Sequence, residues 1–200
     1  MSNDRFLSEC LSLDWRALFQ LFANLLREDT KQLDLPARAL REKARAGEMP
    51  EEAIPTLSAC LMAAEDHQVI ADLAKALAAF GRAANVAAPV LQEKIQEMMI
   101  LDDVSFWAFD GCMHAMGYIG SSEQKEFIDD IFEKVPVIKS GDLYRGQISQ
   151  RDRGDLFCES IERVRELMAA EDPGVWRKKR TSWTASQGEE KKKLSAWMIR

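Results

Sequence analysis

Two histidines, two tyrosines and four scattered cysteines are all that this 200-residue chain offers in residue types on which chemistry often turns. His67 and His114 fall in different helical stretches, so the side chains that could shuttle protons near neutral pH are few and apart. Cys10, Cys60, Cys112 and Cys158 each sit inside an apolar helical pattern, with no C-x-x-C pair. They read as buried free thiols in a reducing cytoplasm, not as a disulfide framework, a redox pair or a metal site. A Gly-rich phosphate loop is also missing, because the Gly-x-x-Gly and Ser-Gly fragments have no strand context. No apolar run approaches the roughly 18 residues that a membrane span needs, and Met1-Ser2-Asn3-Asp4-Arg5 does not read as a secretory signal. Catalytic residues, cofactors and metals are therefore not expected, and an enzymatic reading is weaker than a binding one.

What is present favours helix. Hydrophobic residues make up 46% of the chain and charged residues 30%, with Ala, Leu, Glu and Lys prominent. The expected class is all-α, and the length suffices for a real core without a disulfide staple. Charge is divided unevenly. Residues 174–200 carry eight Lys/Arg and two Glu, a net +6, which leaves −12 for residues 1–173 out of the total of −6. The reading is a helical domain over 1–173 and a basic, Trp-bearing tail over 174–200. An acidic body argues against general nucleic-acid binding, since phosphate contacts need surplus cations on the docking face.

Helical periodicity begins at about Leu13 and runs to Arg27, with Leu18, Phe19, Phe22, Leu25 and Leu26 on one stripe and Asp14 as N-cap. A second helix is expected from Pro36 to a C-cap at Gly47, with a basic exposed face. Pro50 and Glu51-Glu52 open a third, in which Pro55 is tolerable only near the first turn. Between His67 and Val135, two helical hairpins superpose with a shift of 39 residues, Ala76-Leu77-Ala78-Ala79-Phe80-Gly81 falling on Ala115-Met116-Gly117-Tyr118-Ile119-Gly120. Each block ends a helix at a Gly, passes a polar turn and enters a second amphipathic helix, Pro89 to Ile100 or Phe127 to Phe132. Small residues at Ala76, Ala78, Ala115 and Gly117 permit close helix approach.

That period, with an apolar-Gly helix ending and a Pro-bearing second helix, resembles a degenerate HEAT repeat over residues 67–135. The usual Asp and Arg of the second turn are replaced by Arg82 and Asn85. The resemblance implies a short α-solenoid with a scaffold or recognition role; an irregular helical bundle is the alternative.

Three surfaces are candidates for partner contact. The first is the aromatic turn Val104-Ser105-Phe106-Trp107-Ala108-Phe109, where exposure of Phe106 or Trp107 would make a hot-spot anchor, with Met98-Met99 as an adaptable neighbour. Residues 143–154 read as a polar loop that bears Tyr144, Arg145, Gln147, Arg151 and Arg153, after which Asp155 caps a helix through Ala170. The third is the tail, where Trp176 and Trp183 flank Arg177, Lys178, Lys179 and Arg180, and Lys191-Lys192-Lys193 precede Trp197. Cations interleaved with indoles suit single-stranded nucleic acid or an anionic membrane; alternatively, the tail folds back on the acidic body or awaits a partner. Asp110 and His114, four residues apart, share a helical face with Cys112 nearby, and a metal could use them, although such spacing is common by chance.

The leading expectation is a protein-binding helical-repeat module, an adaptor or an inhibitor of the immunity type, whose acidic body steers a basic protein toward it. A nucleic-acid binder resembling the helical-repeat DNA glycosylases is an alternative through the tail. A small-molecule enzyme or lyase on the same repeats is another, and would need a deep pocket floored by His114 or a cysteine.

Overall fold

The computed structural model describes residues 3–28, 32–100, 106–134 and 150–169, and every described regular element is helical. The α-helices are α1 (Asn3–Ser12), α2 (Trp15–Glu28), α3 (Asp34–Ala46), α4 (Ile54–Ala63), α5 (His67–Ala78), α6 (Ala88–Ile100), α7 (Phe106–Ile119), α8 (Lys125–Lys134) and α9 (Gln150–Ala169). Short 3-10 turns at Glu51–Ala53, Gly81–Ala87 and Ser122–Gln124 lead into α4, α6 and α8.

Local chemistry explains most boundaries. Asp14 caps α2, its Oδ1 accepting from the Ala17 N–H at 2.9 Å. Asp66 caps α5 in the same way, accepting from Gln68 N at 2.8 Å and Val69 N at 3.0 Å. At the far end of α3, Gly47 takes the left-handed conformation with φ 75°. Its N–H reaches the Ala44 carbonyl at 3.1 Å while Glu48 N–H reaches that of Lys43 at 3.0 Å, so two carbonyls otherwise without helical donors are satisfied. Pro55 sits in the first turn of α4, where a missing N–H costs nothing.

Packing proceeds by alternate helices. α5 lies against α3, α4 and α7; α7 lies against α5, α6 and α9; α9 in turn meets α7 and α8. α3 also receives α1 and α2. As a result α5 is buried on nearly every side, from Val69 through Leu77 with only Lys75 half-exposed. Close approach depends on missing side chains. A Cβ on Gly111 would stand 2.8 Å from the Ala71 Cα, and one on Gly117 would stand 2.8 Å from the Leu167 Cδ1. Gly117 therefore does what its size suggested, between α7 and α9, and Gly111 does the same between α7 and α5.

Buried polar groups are matched. Asp72, only 2% exposed, takes a charged hydrogen bond from Arg41 across the α3–α5 contact. Burial works against the Arg41 charge, but its hydrogen bonds and proximity to Glu42 and Asp72 outweigh that and raise its pKa. The Glu42 carboxyl is held low, chiefly by the Arg41 hydrogen bond. The buried Lys94 ammonium donates to the Ala64 carbonyl at 3.2 Å and to Glu97 at 2.8 Å. Leaving either charge unpaired would cost several kcal/mol, on the order of 3–5 for a buried pair.

Several expectations need correction. A helix the periodicity did not mark, α1, precedes Leu13, and its one fully covered side chain is Cys10. The basic face expected of α3 is only partly exposed: Arg38 and Arg45 face solvent, whereas Arg41 is half-buried and Lys43 buried against Glu48 at 3.0 Å. α9 starts at Gln150, so Arg151 and Arg153 belong to a helix rather than a loop, and Asp155 lies inside that helix instead of capping it. The glycines aligned by the 39-residue shift also differ, since Gly81 has φ 57° while Gly120 continues an α-helical hydrogen bond to Met116 at 2.8 Å. Finally, α6 packs chiefly on α7, and α8 on α9. The 3-10 stretch Gly81–Ala87 separates α5 from α6.

Candidate partner-binding surface

The aromatic turn at the start of α7 divides according to its position on the helix. Ala108 and Phe109 point inward and are buried, Phe106 is half-buried against the core, and Trp107 is 50% exposed. Its indole meets the Phe106 ring edge-on, with centroids 6.2 Å apart and planes at 62°. α7 is otherwise sunk on both faces, with Gly111, Cys112, Met113 and the run Ala115 to Ile119 all buried. A rigid, well-held helix thus presents one large amphipathic ring to solvent, the arrangement in which a tryptophan loses little conformational freedom on binding. The methionines beside it behave differently: Met98 is buried and Met99 half-buried in the core, so neither supplies the adaptable surface expected of the pair.

Further along α7, Asp110 accepts a hydrogen bond from Ser160 Oγ at 2.8 Å, and Arg163 approaches at 3.5 Å, which ties α7 to α9. The His114 ring lies 4.8 Å from that of Tyr118. Cys112 is fully buried, and burial pushes its thiol up to about 12 despite the opposing pull of Lys94 and Lys75. Asp110, Cys112 and His114 share a helix but are engaged in these separate surroundings, and the described residues contain no group of three or more metal-ligating side chains. Burial likewise raises the Cys60 thiol to about 11 and, to a lesser extent, that of Cys10. The Cys158 side chain lies outside the described residues.

A concavity lies between α8 and the end of α9. It encloses about 270 Å³, and its described lining is Lys125, Ile128, Arg165, Met168 and Ala169. Arg165 is anchored by Asp129 at 2.7 Å. Neither His114 nor a described cysteine belongs to that lining, so the pocket required for an enzymatic reading is not formed there.

Of the other residues expected to contact a partner, Arg151 and Arg153 lie in α9 with side chains outside the described set. Tyr144, Arg145, Gln147, Trp176, Arg177, Lys178, Lys179, Arg180 and Trp183 lie outside the described residues altogether. The described structure therefore places Phe106 and Trp107 side by side and, of the others, places only the backbone of Arg151 and Arg153, in α9. Arg82 and Asn85, which stand where a HEAT repeat has other residues, both bridge elements: Asn85 Nδ2 donates to the Ile119 carbonyl at 3.0 Å, and Arg82 to that of Met168 at 3.4 Å. Comparison with protein-family models, curated proteins and solved structures returned no match. No described helix is long and apolar enough to cross a membrane.

Proposed function

We propose that the chain is a short α-solenoid of HEAT-like hairpins that binds a protein partner, as an adaptor or an inhibitor of the immunity type. The repeat reading is supported by the succession α3, α5, α7, α9, in which each helix packs on the next and is backed by the helix that precedes it in sequence. Trp107 is the observation that carries the binding reading, because it is a half-exposed indole on a helix whose other large apolar side chains are covered. Interface energy concentrates on such aromatic anchors, which typically contribute about 2 kcal/mol or more each.

Charge supports the choice of partner. The −12 carried by residues 1–173 favours encounter with a cationic protein and opposes a polyanion. The test is affinity capture with the full chain, followed by purification of any stoichiometric partner and titration of the complex with salt. A basic protein whose association rate falls with rising ionic strength supports the proposal. Recovery of nucleic acid alone would overturn it and favour the tail-borne, glycosylase-like alternative.

A further inference from the structure

α8 and α9 each set a cation beside apolar side chains on one face. Lys125 and Ile128 do this on α8 at i and i+3, and Arg165, Met168 and Ala169 do it on α9 at i, i+3 and i+4. All five belong to the described lining of the hollow of about 270 Å³ between the two helices. We propose that this hollow binds a small aromatic monocarboxylate, with the ring among Ile128, Met168 and Ala169 and the carboxylate toward Lys125 and Arg165.

Charge selects an anion. The described lining contains two cations and no acid. Asp129 holds the Arg165 guanidinium, its Oδ1 accepting from Nε at 2.9 Å and standing 2.7 Å from Nη2. That contact offsets part of the Arg165 charge, but it also fixes a planar donor whose side chain is 34% exposed, so less freedom is lost on binding. Lys125 is exposed and opens α8, where the helix dipole is positive and a cation is disfavoured. A carboxylate beside it relieves both. Exposed Glu126 lies about 100° further round α8 and is not in the described lining. At the end of α9, Arg82 donates to the Met168 carbonyl at 3.4 Å and counters the negative pole of that helix. Lys125 and Arg165 against Asp129 leave a net charge of +1, which one carboxylate matches and a dianion exceeds.

Size and wall chemistry select the ring. An apolar cavity of about 150 Å³ takes up benzene, so about 270 Å³ has room for one ring and a short arm. It falls short of the several hundred cubic ångströms, roughly 300 or more, that drug-sized ligands occupy. Ile128 is fully buried and gives a fixed wall, while the half-buried Met168 thioether favours an aromatic edge over an aliphatic chain. Cations beside that wall add attraction for a π face.

The test is methyl NMR of the full chain, labelled at its methionine and isoleucine methyl groups and titrated with 3-phenylpropionate. The expected result is a saturable ring-current shift of the Met168 and Ile128 methyls, with a Kd on the order of 1 mM or tighter for a ligand of this size. The methyl of Met113, buried in α7, should stay unmoved and report an intact fold. 3-Phenylpropanamide, of the same shape but uncharged, should bind about fivefold more weakly or worse. Lys125→Gln at the exposed rim should weaken the acid by about threefold and leave the amide unchanged. Absence of a saturable shift at Met168 and Ile128 overturns the proposal. Equal affinity for acid and amide does the same, since the hollow would then select apolar shape alone. A Lys125→Gln chain that keeps the fold and binds the acid as tightly as before also overturns it.

Discussion

α2 and α7 are each 14 residues long and each begin with aromatic residues, yet they are used in opposite ways. α2 buries one stripe, Leu18, Phe19 and Phe22, and turns Arg16, Gln20, Asn24 and Arg27 to solvent. α7 carries Asp110 as its one acidic or basic residue apart from His114, and it is covered by α5 on one side and α9 on another. A helix at the edge of a stack needs one apolar stripe; a helix between two neighbours needs small residues on both faces. The tryptophans follow suit. Trp15 packs edge-on against Phe19 at 6.0 Å and lies under the Arg16 guanidinium at 4.4 Å, whereas Trp107 is left half in solvent.

The comparison can be broken first at two phenylalanines that are fully buried. Phe109→Ala in α7 and Phe22→Ala in α2 should each cost about 3–5 kcal/mol in denaturant unfolding, because both leave large cavities. A negligible loss for Phe22→Ala would mean that α2 is not part of the cooperative core. Gly111→Val comes next. Its first added carbon would meet backbone atoms of Ala71, and a loss of about 1–3 kcal/mol or more is expected. The same side chain placed at exposed Asn24 of α2 should change stability by no more than about 0.5 kcal/mol.

Alkaline pH sharpens the contrast further. The folded-state pKa of Cys112 is raised from 9.0 to about 12, so the native chain holds this proton more tightly than the unfolded chain. Its stabilising contribution is complete below about pH 9 and is lost as pH rises toward 12, with a slope of about 1.4 kcal/mol per pH unit. Cys112→Ala should flatten the alkaline limb of a stability curve by that amount, and an unchanged limb would show that Cys112 is not desolvated. Smaller effects belong to the helix ends. Asp14→Ala and Asp66→Ala should each cost about 1 kcal/mol, measured by thermal unfolding, since each removes the side-chain acceptor at an N-cap.

Much of this architecture was legible in the sequence where one local cause suffices. The Asp14 cap, the Gly47 ending and the Pro55 position each depend on a single residue type with one physical role, and the structure has all three. The α1 helix was not read, although Phe6, Leu7, Cys10 and Leu11 follow helical spacing, because its stripe is short. Pairings across the fold were out of reach for periodicity. Nothing in the spacing of Arg41 and Asp72, 31 positions apart, says that they meet, nor that Gly111 faces Ala71. Which side of the aromatic turn faces solvent was open for the same reason: Phe106, Trp107 and Phe109 are all apolar, and only the placement of α5, α6 and α9 decides which of them is covered.

The most direct test of the central claim is the affinity of purified partner for the unmodified chain and for Trp107→Ala, measured by calorimetry with unfolding midpoints alongside. Removing a half-exposed ring should cost about 1–2 kcal/mol of stability and leave the chain folded. The account predicts that the same change weakens binding by at least about 2 kcal/mol, roughly a 30-fold rise in Kd. Unaltered affinity in the folded variant would contradict it.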